Sequence, residues 1–269
     1  MNDILNLFEY RFFTNAIWGS LLASILCGII GTYIVSRKMV FVSGGLSHAA
    51  FGGIGLGYYL GFNPIFSGVA FAILAGLGIE HVSHRFKFRK DSVIAVAWSA
   101  GMAAGILLVS LKPGYSPDLM SYLLGNILTI TSSELWLMAG LVIATTLFFV
   151  LYYNTILITS FDEDFARVKH IPVNLINSIL IILTAATVVI TIRVVGIILI
   201  LALLSIPQET ANLFTRNFKK IIIGSIIIGI IATLSGLVIS YYFDLITGPV
   251  IISVLIIFYA VARLIKHLL

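Results

Sequence analysis

An all-α, polytopic membrane protein with eight or nine transmembrane helices is what this sequence predicts, on three observations. Mean hydropathy is +1.12 and only 10% of residues are charged, against roughly 25% in soluble domains. Apolar runs long enough to cross roughly 30 Å of hydrocarbon recur along the whole chain. The lysines and arginines between them fall mostly in alternate loops. That spacing reads as membrane topology rather than as a nucleic-acid surface.

The runs lie near 14–36, 43–61, 64–82, 92–111, 134–157, 173–192, 194–213, 221–242 and 247–265. Each is expected to be a helix, because a backbone exposed to lipid must satisfy its own hydrogen bonds. The sixth and seventh runs abut at Arg193 without a loop, so the count stands at eight or nine. Thirteen of the 16 cations sit in alternate loops, and only Arg11, Lys112 and Arg193 fall on the other side. The positive-inside rule then places the N-terminus outside and the C-terminus in the cytoplasm.

The 269 residues fit one membrane domain, 1–269, with no stretch polar enough for a separate soluble unit. Cys27, the single cysteine, lies within a span, which excludes an internal disulfide and a thiolate cluster. Residues 1–10 hold Asp3 and Glu9 but no basic cluster, and do not read as a cleaved signal peptide.

The second run is the most informative. Val42-Ser43-Gly44-Gly45-Leu46-Ser47-His48-Ala49-Ala50-Phe51-Gly52-Gly53 places a histidine within an apolar, glycine-rich helix just after Arg37 and Lys38. An ionisable group in lipid is expensive and usually faces a protein-lined path. Gly53, Gly57 and Gly61 repeat at the spacing that lets helices approach closely. The polar break 112–126, with Pro113, Gly114 and Pro117, reads as an external loop leading into a short re-entrant or interfacial segment, 119–128. Asp118 and Arg193 are placed at the outer face, either as ordinary interface residues or with Asp118 guiding a cation inward and Arg193 meeting a partner protein or a lipid phosphate.

On the cytoplasmic side, Ser160 to Pro172 reads as a short charged surface helix, about 160–171. Ser160 is the expected N-cap. Asp162, Glu163 and Asp164 fill the first turn, Arg167 and Lys169 the last, and Pro172 ends it. Such a helix suits either a solvated connector or a docking element for a soluble partner.

Ordered motifs now converge on a family. They are Gly31-Thr32-Tyr33-Ile34-Val35-Ser36-Arg37-Lys38-Met39, Leu46-Ser47-His48-Ala49, Tyr122-Leu123-Leu124-Gly125-Asn126-Ile127-Leu128 and Phe161-Asp162-Glu163-Asp164-Phe165-Ala166. Val195-Gly196-Ile197-Ile198-Leu199, Leu203-Leu204-Ser205-Ile206-Pro207, Thr210-Ala211 and Gly248-Pro249 follow. Over nearly its whole length the chain resembles the membrane permease of zinc, manganese or iron ABC importers, the type II importer architecture.

The resemblance implies a multi-pass homodimer in the cell membrane of a prokaryote. It also implies a cytoplasmic ATPase subunit and an extracellular or periplasmic metal-binding protein as partners. Asp162, Glu163, Phe165, Ala166 and Arg167 would sit on the helix that couples to the ATPase. No G-x-x-x-x-G-K-[ST] loop occurs, so ATP hydrolysis is expected on another chain and no enzyme activity on this one. No tightly bound cofactor is expected; the metal is cargo.

Two departures from the family pattern stand out. The family commonly has an aspartate four positions before the histidine, where this chain has Gly44, and a glycine four after the coupling-helix alanine, where it has His170. Glu209 is expected near the cytoplasmic end of the seventh span, at a depth similar to His48, which lies about five residues or ~8 Å inside the edge. His48 and Glu209 are therefore the candidate metal pair, a nitrogen and a carboxylate oxygen suited to Zn²⁺ or Mn²⁺. The alternative for Glu209 is a surface ion pair with Arg216 or Lys219.

Glu80, His81 and His84 also have ligand spacing, but the neighbouring Arg85, Lys87, Arg89 and Lys90 disfavour a divalent ion. A single clear histidine ligand leans the cargo to zinc, with manganese or iron behind it. Alternatives are a permease for siderophore or cobalamin chelates and a stand-alone ion-coupled secondary transporter. An intramembrane metalloprotease lacks its H-E-x-x-H motif.

Overall fold

The computed structural model describes residues 10–86, 88–112, 125 and 129–268. Asp118, the expected N-terminal segment before Tyr10, and all of the segment 119–128 except Gly125 lie outside the described residues. Within them every regular element is a helix. In order these are α1 (Arg11–Ser36), α2 (Val40–Leu60), α3 (Pro64–Phe86), α4 (Lys90–Leu111) and α5 (Ser132–Leu151). The short α6 (Tyr153–Phe161) and α7 (Glu163–Val168) follow, then α8 (Val173–Leu203), α9 (Ile206–Asn212), α10 (Phe218–Phe243) and α11 (Thr247–Leu268).

Eight helical stretches among the described residues are long and apolar enough to cross a membrane, with Val173–Asn212 counted as one stretch of 40 residues. A straight helix of that length would measure ~60 Å, about twice the hydrocarbon thickness. The backbone breaks instead. Gly196 leaves helical geometry (φ 80°, ψ 162°), a conformation that only glycine adopts without strain. Leu204 and Ser205 then separate α8 from α9. The expected junction at Arg193 is thus helical, and the interruption sits three residues further on. The expected run 134–157 is likewise divided at Tyr152, between α5 and α6.

Contacts divide the chain into two compact units. One comprises Met1–Lys38, Met120–Tyr153 and Thr191–Leu269, the other Met39–Leu119 and Asn154–Ile190. In the first unit, α1 meets α10 through small residues: Ser24 Oγ lies 3.2 Å from Thr233 Oγ1, and Gly229 leaves room for Ser24. Asn15 Nδ2 donates to the carbonyl of Ile130 at 2.9 Å, fixing the approach to α5.

In the second unit α2 is the central helix. Its most apolar window is 78% buried, against 22% for α3 and for α4. Apolarity alone would leave α2 facing lipid; close packing through glycine is what encloses it. A Cβ on Gly101 of α4 would lie 2.5 Å from Ala49 Cα and 2.8 Å from its carbonyl oxygen, and one on Gly105 would strike the carbonyl of Phe51. Gly53 and Gly57 do the same work against Ser67 of α3. Gly61, expected to belong to that row, instead has φ 77° and open space around it, and serves as the left-handed stop of α2.

Most buried hydroxyls bond within their own helix. Ser20 donates to Ala16, Ser24 to Ser20, Thr32 to Gly28, Ser47 to Ser43, Thr184 to Leu180 and Ser225 to Ile221, all at 2.7–2.8 Å. The polar atom is satisfied locally and the outer face of the side chain is left apolar.

Because the α2–α4 contact is backbone on backbone, Gly105→Val should separate the two helices and cost about 1–3 kcal/mol. Gly140→Ala, at a helical position with nothing within 4 Å, should be neutral to stabilising, by no more than about 1 kcal/mol. Thermal unfolding midpoints of the detergent-solubilised protein check the pair.

Candidate functional site

His48 lies eight residues after the start of α2, or ~12 Å along its axis. Its ring is stacked on Trp98 of α4, with centroids 3.9 Å apart and planes inclined by 8°. Nδ1 is buried and has no hydrogen-bond partner. Burial of Nδ1 leaves Nε2 as the nitrogen free to meet an ion. Gly44, one turn earlier, is buried and offers no ligand. Among the described residues no three His, Cys, Asp or Glu side chains come close enough together to hold a metal. Trp98 carried no signal in the sequence: it sits 50 residues from His48 and belongs to an ordinary apolar run.

Glu209 belongs to the other unit, in the first turn of α9. Its side chain is exposed, and the ion pairs among the described residues do not join it to Arg216 or Lys219. The residue before it is the buried one. Gln208 is fully enclosed, its Nε2 donating to the Cys27 carbonyl at 2.7 Å and to the Leu203 carbonyl at 3.1 Å, while Oε1 has no partner. Gly31 supplies the space, since a Cβ there would run into the Gln208 amide. The break at Leu204–Ser205 resets the helical phase, so which of the two neighbours turns inward was not legible from a continuous helix.

The expected cytoplasmic helix is shorter than 160–171. α6 runs on through Ser160, whose hydroxyl bonds back to Ile156. The N-cap is Asp162, accepting from Phe165 N at 2.9 Å. Glu163 and Asp164 occupy the first turn, Ala166 is buried, and Phe165 is exposed beneath the Lys169 ammonium. Glu163 Oε1 accepts from Asn177 Nδ2 at 2.9 Å, and Arg167 donates to Asn174 Oδ1 at 3.3 Å. Both bonds fasten α7 to the start of α8.

The helix stops in a Schellman arrangement, with Ile171 N bonded to Ala166 O and His170 N to Arg167 O. His170 takes the left-handed position (φ 55°), which explains why the family pattern favours glycine there. A side chain in that conformation costs roughly 1–2 kcal/mol.

A cavity of about 950 Å³ separates α7 from the end of α3, lined by Glu80, His81, Arg85, Glu163, Arg167 and Asn177 among others. Glu80 is paired with Lys90 at 3.0 Å, so the Glu80–His81–His84 spacing does not present a free carboxylate.

Arg193 is exposed but paired within the chain. Its Nε lies 2.6 Å from Glu134 Oε1. Glu134 is buried and closes a capping box with Thr131, its Oε2 accepting from Thr131 N at 2.9 Å. The pair ties the segment before Gly196 to the start of α5.

Residues 9–266 match the ABC 3 transport family. The chain belongs to that family. This ABC 3 transport protein is 42% identical over 254 residues to an uncharacterized membrane protein of Synechocystis sp., covering 94% of this chain and 90% of the relative. It is 30% identical over 256 residues to the manganese transport system membrane protein MntC of Halalkalibacterium halodurans, covering 95% and 88%. Among solved structures it resembles PsaBC from Streptococcus pneumoniae in complex with Fab, with a TM-score of 0.87, 30% identity, and coverage of 96% of this chain and 93% of that one. The ABC 3 permease fold expected from the sequence, all-helical and polytopic, is the fold observed.

Arg193→Met would strand the buried Glu134 carboxylate and should destabilise the protein by about 1–3 kcal/mol. Glu134→Gln keeps an acceptor for the Thr131 cap, so in the double variant most of that loss should return. Unfolding midpoints of the four proteins, compared as a cycle, measure it.

Proposed function

We propose that this chain is the membrane permease of an ATP-driven importer of divalent transition-metal ions, with His48 on the ion's path. The observation that carries the reading is the in-span histidine itself: half-buried, its ring held flat, with Nε2 left open. A single nitrogen with few neighbours suits an ion in transit better than one in storage. Glu209 is the proposed carboxylate partner, supported by its exposed, unpaired side chain at the start of a broken helix. Discontinuous helices of this kind commonly border ion sites in transporters.

ATP is hydrolysed on a separate subunit docked at α7, where Asp162, Glu163, Phe165, Ala166 and Arg167 present the coupling surface. An extracellular metal-binding protein delivers the ion. Two copies of the permease enclose the path, and the C-terminus lies in the cytoplasm. Relatives from Halalkalibacterium halodurans and Listeria monocytogenes are named manganese transport proteins, which makes manganese the first cargo to test. The lone imidazole keeps zinc beside it.

The test is uptake of Mn²⁺, Zn²⁺ and Fe²⁺ into proteoliposomes holding the permease and its ATPase, with the binding protein outside. His48→Ala should lower uptake of the preferred ion by at least about tenfold, a loss seen when even a ligand's supporting partner is removed. Glu209→Gln should lower it several-fold. Normal uptake in Glu209→Gln would remove the carboxylate from the path, and normal uptake in His48→Ala would remove the histidine.

A further inference from the structure

We infer that Trp98 is a positioning residue for transport: its indole face, stacked on His48, fixes the plane of the imidazole and so the direction in which Nε2 meets the ion. This rests on the reading of His48 as a ligand on the path. A metal-binding histidine is ordinarily oriented by a hydrogen bond from its second nitrogen to a carboxylate or carbonyl, which also raises the basicity of the ligating nitrogen. His48 has no such bond, for Nδ1 is buried without a partner. Something else must stop the ring from rotating about χ2, a torsion with broad wells.

The Trp98 contact does this. At 3.9 Å between centroids and 8° between planes the two rings lie face to face, so rotation of the imidazole would drive its edge into the indole. The backbone holds the pair in register. Gly101, one turn beyond Trp98, lies against Ala49, the residue after His48, with no room for a Cβ between them. Gly45, one turn before His48, receives the Ile94 side chain, one turn before Trp98. The stack is therefore clamped on both sides along α2 and α4. A metal bound at Nε2 lies in the imidazole plane, so the indole covers the ring face without blocking the ligand. Orientation by stacking leaves the nitrogen's basicity unraised. It fixes geometry without deepening the hold on the ion, as a transport step requires.

The experiment compares Trp98→Phe, which keeps an aromatic face, with Trp98→Leu, which fills the space but cannot stack, beside His48→Ala. All are assembled with the ATPase subunit and assayed for Mn²⁺ uptake. Unfolding midpoints and co-purification with the ATPase confirm that each variant is assembled. Trp98→Leu should lose roughly three- to tenfold in uptake, the range that an aromatic stack supports, and Trp98→Phe should retain most of it.

In a second arm, Trp18→Phe with Trp136→Phe leaves Trp98 as the only tryptophan. Its fluorescence should be quenched saturably by paramagnetic Mn²⁺, and the quenching should vanish on adding His48→Ala. Equal uptake by the Leu and Phe variants, whether both normal or both impaired, overturns the positioning role while inactive His48→Ala leaves the metal path standing. Quenching that survives His48→Ala also overturns it. Full uptake by His48→Ala removes the ligand reading and this inference together.

Discussion

The second unit depends on the close approach of α2 to its two neighbours. Lipid tails are as apolar as leucine, so helices in a bilayer gain nothing from hiding apolar surface from one another; they associate through dispersion contacts, which require small residues at the interface. Gly101 and Gly105 bring α4 against the backbone of α2, and Gly53 and Gly57 admit α3 from the other side. The depth at which His48 lies, the ring it meets and the burial of its Nδ1 all follow from that spacing. In the first unit Ser24, Gly229 and Thr233 play the same part between α1 and α10.

A metal site at His48 would differ from a storage site in what surrounds the ligand. Gly44 stands where a carboxylate would complete a two-ligand turn, and Nδ1 of His48 has no acceptor to raise the basicity of Nε2. Both features would lower affinity for an ion at His48. A permease must release its ion on every cycle, and affinity that exceeds what a conformational change can supply would trap it. At α7 the arrangement is the reverse. This helix is capped by Asp162 and fastened to α8 through Glu163–Asn177 and Arg167–Asn174, so a displacement of α7 is passed to a membrane helix rather than absorbed by a loop.

The succession of membrane-length helices was the legible part of the sequence, because hydropathy reports it directly. Where structure and sequence reading diverge, the causes are local. Arg193 looked like the end of a span because a charge interrupts an apolar run, yet the break belongs to Gly196, and the charge is answered by Glu134, far away in sequence. Ser160 looked like a cap because it precedes acids, but its hydroxyl returns to Ile156 and Asp162 takes the cap. Glu209 drew attention as a charge in a span, while its neighbour Gln208 is the buried group. Only the phase shift after Leu204 separates their fates. Trp98 was out of reach altogether, since nothing in a single sequence announces a stack between residues on two different helices.

Hydroxyls that bond to their own helix have a mechanical consequence. Ser20, Thr32, Ser47, Thr184 and Ser225 carry their acceptors with them. A helix that slides or turns therefore keeps those bonds through the whole movement. Resistance at such faces comes from many small dispersion contacts, each worth ~0.1–0.2 kcal/mol, which are lost and remade gradually. The few polar links between elements, such as Ser24–Thr233, Gln208–Cys27 and Glu163–Asn177, then act as pins among lubricated surfaces. They mark which parts travel together.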